Sequence, residues 1–133
     1  MPRSQLQVGP HRFDVEIDGP DDGPVVFLLH GWPQTTACWR DITPVLAAAG
    51  HRVAAPAQRG YSPAARPTDV ASYRLDELVG DVLGMADALG AARFDVVGTL
   101  IGPTARSCEG DAPAARYHER AAVRVAPSDI ASV

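Results

Sequence analysis

Residues 25–34 read VVFLLHGWPQ, and the fold turns on how this stretch is read. Val25 to Leu29 are five apolar residues with no polar alternation. That is the pattern of a strand buried on both faces, as in a parallel sheet lying under helices. The run stops at His30-Gly31-Trp32-Pro33-Gln34, where Gly and Pro mark a loop.

Upstream, Gln5–Val8 and Arg12–Ile17 flank Gly9-Pro10. Phe13, Val15 and Ile17 fall on one face at period 2, and Arg12, Asp14 and Glu16 on the other, which predicts a half-buried antiparallel hairpin. A turn cluster, residues 18–24, then leads into Val25. Downstream, Trp39 to Ala49 places Trp39, Ile42, Val45 and Leu46 on one helical face, with Gly50 as its stop and Pro44 marking the first turn. Residues 51–56 predict a second short buried strand, and 57–72 a long polar loop. Leu75 to Leu89 predicts the strongest helix, on the stripe Leu75, Leu78, Val79, Val82, Leu83 and Ala86, closed by Gly90. Phe94–Val97 is the third buried strand and runs into Gly98. Strand, helix, strand, helix, strand after an opening hairpin argues for an α/β sheet with right-handed crossovers.

The chain has 133 residues and 14.0 kDa, a length that suits one domain. Its 46% hydrophobic share excludes a fully disordered chain. All 12 basic residues are Arg. Residues 1–102 hold 8 Arg and 12 acids, a net −4, whereas residues 103–133 hold 4 of each and are neutral. No basic stripe results, which argues against a nucleic-acid partner. No apolar run reaches the ~18 residues of a membrane span, and the N-terminal residues lack the apolar core of a signal peptide. A cytoplasmic location is expected, with Cys38 and Cys108 as free thiols. From Pro103 onward three Pro and eight Ala leave little to bury. The expected division is residues 1–102 as the core and 103–133 as a poorly defined tail, with a weak helix over Ala112–Ala122 and a short strand at Val123–Val125.

The HGWP loop after a buried strand, the run WRDITPVLAAAGHRVAAP, then QRGYSPAARP, and a helix before FDVVG together resemble α/β-hydrolase-fold enzymes. The branch they are most similar to is that of epoxide hydrolases and their haloalkane- and fluoroacetate-dehalogenase relatives. The likeness covers about residues 12–98. It implies an α/β-hydrolase-type, mostly parallel sheet with flanking helices. It also implies a small-molecule substrate with an epoxide, C–halogen or ester bond, and no cofactor. In that branch an Asp on a sharp, glycine-flanked turn attacks carbon, and a His–acid pair activates the water that cleaves the ester. Backbone N–H groups stabilise the oxyanion. The matching donors here are those of Trp32, after His30-Gly31, and Ile101.

Three departures accompany the resemblance. The turn reads Gly98-Thr99-Leu100-Ile101-Gly102, so Leu100, which can neither ionise nor attack, holds the nucleophile position. Ala57 stands where the family has an acid before its Arg-Gly, a carboxylate that would order the loop. The family's helical cap, late acid and base His lie beyond the matched region, and His118 is not placed to be that base. The expectation is therefore a hydrolase-family chain truncated after about its fifth strand and catalytically inactive, with His30, Gly31, Trp32, Pro33 and Ile101 as remnants of an oxyanion and substrate site. The alternative is a non-catalytic remnant or partner-binding module. An open edge at Phe94–Val97 would promote self-association.

Other residue types carry competing readings. His30 either orients the oxyanion loop or is a structural loop histidine. Trp39 lines a pocket or is core. Asp76, Glu77, Asp81 and Asp87 read as a solvated helix face rather than a metal cluster. Cys108 has no base placed beside it, and the four histidines, His11, His30, His51 and His118, lack metal-ligand spacing.

Overall fold

The computed structural model describes residues 3–31 and 34–98, with the backbone alone for Leu75. The five strands are β1 (Arg3–Val8), β2 (His11–Asp18), β3 (Val25–Leu29), β4 (Arg52–Pro56) and β5 (Phe94–Gly98). The α-helices are α1 (Thr43–Ala48) and α2 (Leu75–Ala88), and two single-turn 3-10 helices span Thr36–Trp39 and Val70–Tyr73. Residues 103–133, with the helix and strand expected there, lie outside the described residues.

The strands form one sheet in the order β1-β2-β4-β3-β5. β1–β2 and β2–β4 pair antiparallel, while β4–β3 and β3–β5 pair parallel. Among the described residues the sheet is mixed, because the expected opening hairpin adds antiparallel to the edge of the parallel part of the α/β sheet.

β3 is apolar throughout because both of its faces are covered. Val25, Phe27 and Leu29 point to one side, where they meet Val79, Val82, Met85 and Ala86 of α2. Val26 and Leu28 point to the other side, toward Trp39, Ile42 and Leu46. Phe94 of β5 meets Phe27 edge to face at 5.2 Å. Such a pair contributes roughly 0.5–1.5 kcal/mol beyond its buried area.

Residues 39–49 divide near Pro44, as the reading of that proline as the first turn of the helix predicts, and Trp39 to Ile42 lie outside α1. Pro44 supplies no N–H and cannot sit in a helix interior, so a turn separates the 3-10 turn at Thr36–Trp39 from α1. Pro44 falls in the first turn of α1, as its chemistry requires. Thr43 ties the two pieces together, its hydroxyl donating to the Trp39 carbonyl at 3.0 Å. The break rotates Val45 out of the core, leaving it 56% exposed, while Ile42 and Leu46 stay inside.

Both helices stop where glycine was expected to stop them, and by one mechanism. Gly50 and Gly90 have positive φ, 95° and 71°. In each case the glycine and the next residue donate back into the last turn: Gly90 to Asp87 and Ala91 to Ala86, Gly50 to Ala47 and His51 to Leu46. This Schellman arrangement satisfies carbonyls that the helix end would leave unpaired.

Candidate functional site

The parallel strands β3, β4 and β5 end on the same side of the sheet, and the polar motifs follow those ends. His30-Gly31 follows β3, and Gln58-Arg59-Gly60-Tyr61-Ser62 follows β4. The register pairs Leu29 with Gly98, so the His30-Gly31 turn leaves the sheet beside the start of the Gly98–Gly102 segment. Ligands in open α/β sheets bind beyond the carboxyl ends of the strands, which is this edge.

His30 is fully buried, and both ring nitrogens are occupied. The Gln58 N–H donates to Nε2 at 3.2 Å, so Nε2 accepts and carries no proton. Nδ1 then carries it and donates to the Gly31 carbonyl at 3.0 Å. This is the neutral Nδ1–H tautomer. Burial pushes the imidazole below its ordinary value, and the bond to Gly31 only partly opposes that shift. With both nitrogens engaged, His30 ties the turn to the Gln58 segment and offers no free nitrogen to act as a general base.

The turn around it is held from several directions. The Gln58 side-chain amide donates to the His30 carbonyl. The Gln34 side-chain oxygen accepts from the Gly31 N–H at 3.0 Å, and the Gln34 N–H returns to the Gly31 carbonyl at 2.9 Å. The Tyr61 ring packs edge to face on the imidazole at 4.5 Å.

The Gln58–Ser62 segment is itself anchored on both sides. Toward β2, the Ala57 N–H donates to the Asp14 carbonyl at 2.9 Å. The buried Ser62 hydroxyl accepts from the Asp14 N–H at 3.0 Å and donates to the Ala57 carbonyl. Toward α2, Arg59 forms a two-pronged pair with Asp81: Nε to Oδ2 at 2.8 Å and Nη2 to Oδ1 at 2.7 Å. Its Nη1 donates to the Ser72 carbonyl at 2.7 Å and lies 3.7 Å from Glu77. The bonds to Asp81 raise Arg59 further into its charged range. Burial lifts the Asp81 carboxyl, against the pull of the guanidinium. The loop is therefore ordered without an acid at position 57, contrary to the expectation drawn from Ala57.

Several expected residues find their places here. Trp39 is 1% exposed in the core under α1, which answers its alternative readings in favour of core. Asp76, Glu77 and Asp87 are exposed, but Asp81 is not: it is 5% exposed and paired with Arg59. The solvated-face reading is wrong for this one acid. A clue lay in its spacing, three residues after Leu78 and four before Met85, which sets it beside the apolar stripe. Gln58, Tyr61 and Ser62 were legible only as parts of a motif, since their partners are distant in sequence. Trp32, Pro33, Leu100, Ile101, Gly102, Cys108 and His118 lie outside the described residues. Among the described residues no three His, Cys, Asp or Glu side chains converge to hold a metal ion, and no helix is long and apolar enough to cross a membrane.

Comparison with known proteins gives consistent matches. The family model for the alpha/beta hydrolase fold matches residues 24–99. Epoxide hydrolase B of Mycobacterium tuberculosis is 46% identical over 89 residues, covering 65% of this chain and 25% of the relative. The crystal structure of epoxide hydrolase A from Mycobacterium thermoresistibile superposes with a TM-score of 0.75 at 30% identity, over 79% of this chain and 33% of that one. An epoxide hydrolase from an endophytic Streptomyces gives 0.74 at 36% identity, over 80% and 32%. The chain thus spans about a quarter to a third of the length of the relatives it matches.

Proposed function

Because this chain belongs to the α/β-hydrolase fold family, in its epoxide-hydrolase-like branch, we propose that it carries the oxyanion half of an epoxide-hydrolase-type site and that these 133 residues do not turn substrate over. The substrate class is a small molecule with an epoxide, C–halogen or ester bond. The observation that carries the reading is the Leu29–Gly98 register. Gly98, the last described residue before Thr99-Leu100-Ile101-Gly102 in the sequence, pairs with Leu29, next to the bonded His30-Gly31 turn. An oxyanion site requires donors held in advance of the charge they meet, and the bonds that fix His30 and Gly31 support that reading for the described part of this turn.

Inactivity follows from Leu100 between Gly98 and Gly102, since a leucine side chain can form no ester. Nor can His30 serve as the water-activating base, its two nitrogens being engaged. The test is to incubate the purified chain with styrene oxide, a haloalkane and a 4-nitrophenyl ester. No turnover and no covalent ester are expected. Leu100→Asp is expected to give at most stoichiometric labelling at position 100, because groups of a catalytic set act as a unit. Steady turnover by the unsubstituted chain, abolished by substitution within 98–102, would overturn the proposal.

A further inference from the structure

We propose that the buried Arg59–Asp81 ion pair is a positioning device for the His30-Gly31 turn, transmitting the placement of α2 to that turn through Gln58 and Tyr61. The inference rests on the reading of the turn as the oxyanion element and names what holds it in place.

The segment 57–62 alternates between anchors and contacts. Ala57 and Ser62 are fixed to Asp14 of β2. Gln58 and Tyr61, between them, are the residues that touch His30. Two anchors on one strand define an axis about which the intervening turn can still rotate. Arg59 removes that freedom from the opposite side. Its side chain is 6% exposed and that of Asp81 is 7%. Two prongs on one carboxylate and a third bond to the Ser72 carbonyl leave the guanidinium no alternative placement. Inside the segment, Tyr61 and Ser62 donate to the Gln58 carbonyl at 2.8 and 3.1 Å, so any displacement of Arg59 carries both His30 contacts with it.

A buried ion pair is poor evidence of net stabilisation, because desolvation offsets much of its attraction and well-packed apolar replacements often do as well. What it supplies is direction: a planar fork fits one geometry and few others. Stability and positioning can therefore be separated by experiment.

The experiment is nitrogen-15 NMR of the full chain, following the His30 Nδ1–H signal and its exchange, with backbone amide exchange of Val25–Leu29 as the control. In Arg59→Met/Asp81→Leu, the expected result is exchange at His30 faster by about tenfold or more, with β3 protection retained, since local opening is separable from global unfolding. Asp81→Glu, which keeps a carboxylate, is expected to restore the slow exchange. Arg59→Lys keeps the charge without the fork and is expected to loosen His30 with β3 unchanged. Unchanged His30 exchange in the double variant overturns the proposal. So does loss of β3 protection in step with His30 in both the double variant and Arg59→Lys, because the pair would then hold the whole fold rather than the turn. No arm depends on turnover. A chain that proved active would sink the functional reading and leave this result standing.

Discussion

His30 enters the fold neutral, with its proton on Nδ1 and its other nitrogen accepting from Gln58. Its folded pKa lies below the ordinary value of 6.5. The unfolded chain therefore binds a proton there more readily than the folded one. Stability rises with pH wherever the unfolded state holds more protons. The contribution of His30 is thus intact above about pH 6.5 and is lost as pH falls from there through the folded value. Urea midpoints measured between pH 7 and 5 are expected to drop with acidity, and to drop less steeply in His30→Gln. Equal slopes would show that no proton at His30 is linked to folding. The sequence offered His30 as either an orienting or a structural residue, and its bonds to Gly31 and Gln58 fit both readings, the first being the one proposed above. Neither of its readings of Asp81 fits. That acid reads as solvated because its partner, Arg59, is 22 residues away, on a loop whose path no local pattern specifies.

At the scale of elements, α2 carries two glycines with opposite roles. Gly84 faces β1, and a Cβ there would lie 2.3 Å from Val8 Cγ1. Valine cannot swing aside freely, being branched at Cβ, so the strand must move or the helix must lift. Overpacking of this kind costs about 1–3 kcal/mol, against a helix-propensity gain of ~1 kcal/mol for alanine. Gly84→Ala is expected to be destabilising on balance. Gly80 lies one turn earlier, is exposed, and would meet nothing within 4 Å. Gly80→Ala is expected to stabilise by roughly 0.5–1 kcal/mol. Urea melts of the pair decide the matter, and a stabilising Gly84→Ala would mean that β1 does not pack on α2 as closely as described. The helix itself was plain in the apolar spacing of Leu78, Val79, Val82 and Ala86. The division of labour between its glycines was not, because glycine carries no pattern and its meaning depends on what lies opposite.

For the whole molecule, β5 is the last strand on its side of the sheet among the described residues. Strand edges with apolar side chains recruit further strands unless charge, proline or a covering element intervenes. Self-association through this edge is our proposal for how the chain behaves in solution. Sedimentation velocity on the purified chain is expected to show dimers or larger species, and a monodisperse monomer across a wide concentration range would count against it.

What the sequence determined by itself was the order of the five strands and two α-helices of the described residues. Apolar period, glycine stops and the buried character of Val25–Leu29 are local properties, and each is written within a span of about one element. The break at Pro44 and the ends at Gly50 and Gly90 belong to the same class. What only the tertiary structure decided were the relations between residues far apart. These include the antiparallel attachment of the hairpin to β4, the outward turn of Val45, the clamp of Gln58 and Tyr61 on His30, and the burial of Asp81 against Arg59. Each is set by which surfaces meet when the sheet closes over α1 and α2. Hydrogen bonds and ion pairs across such surfaces depend on distances of a few tenths of an ångström, and no spacing along the chain encodes those distances.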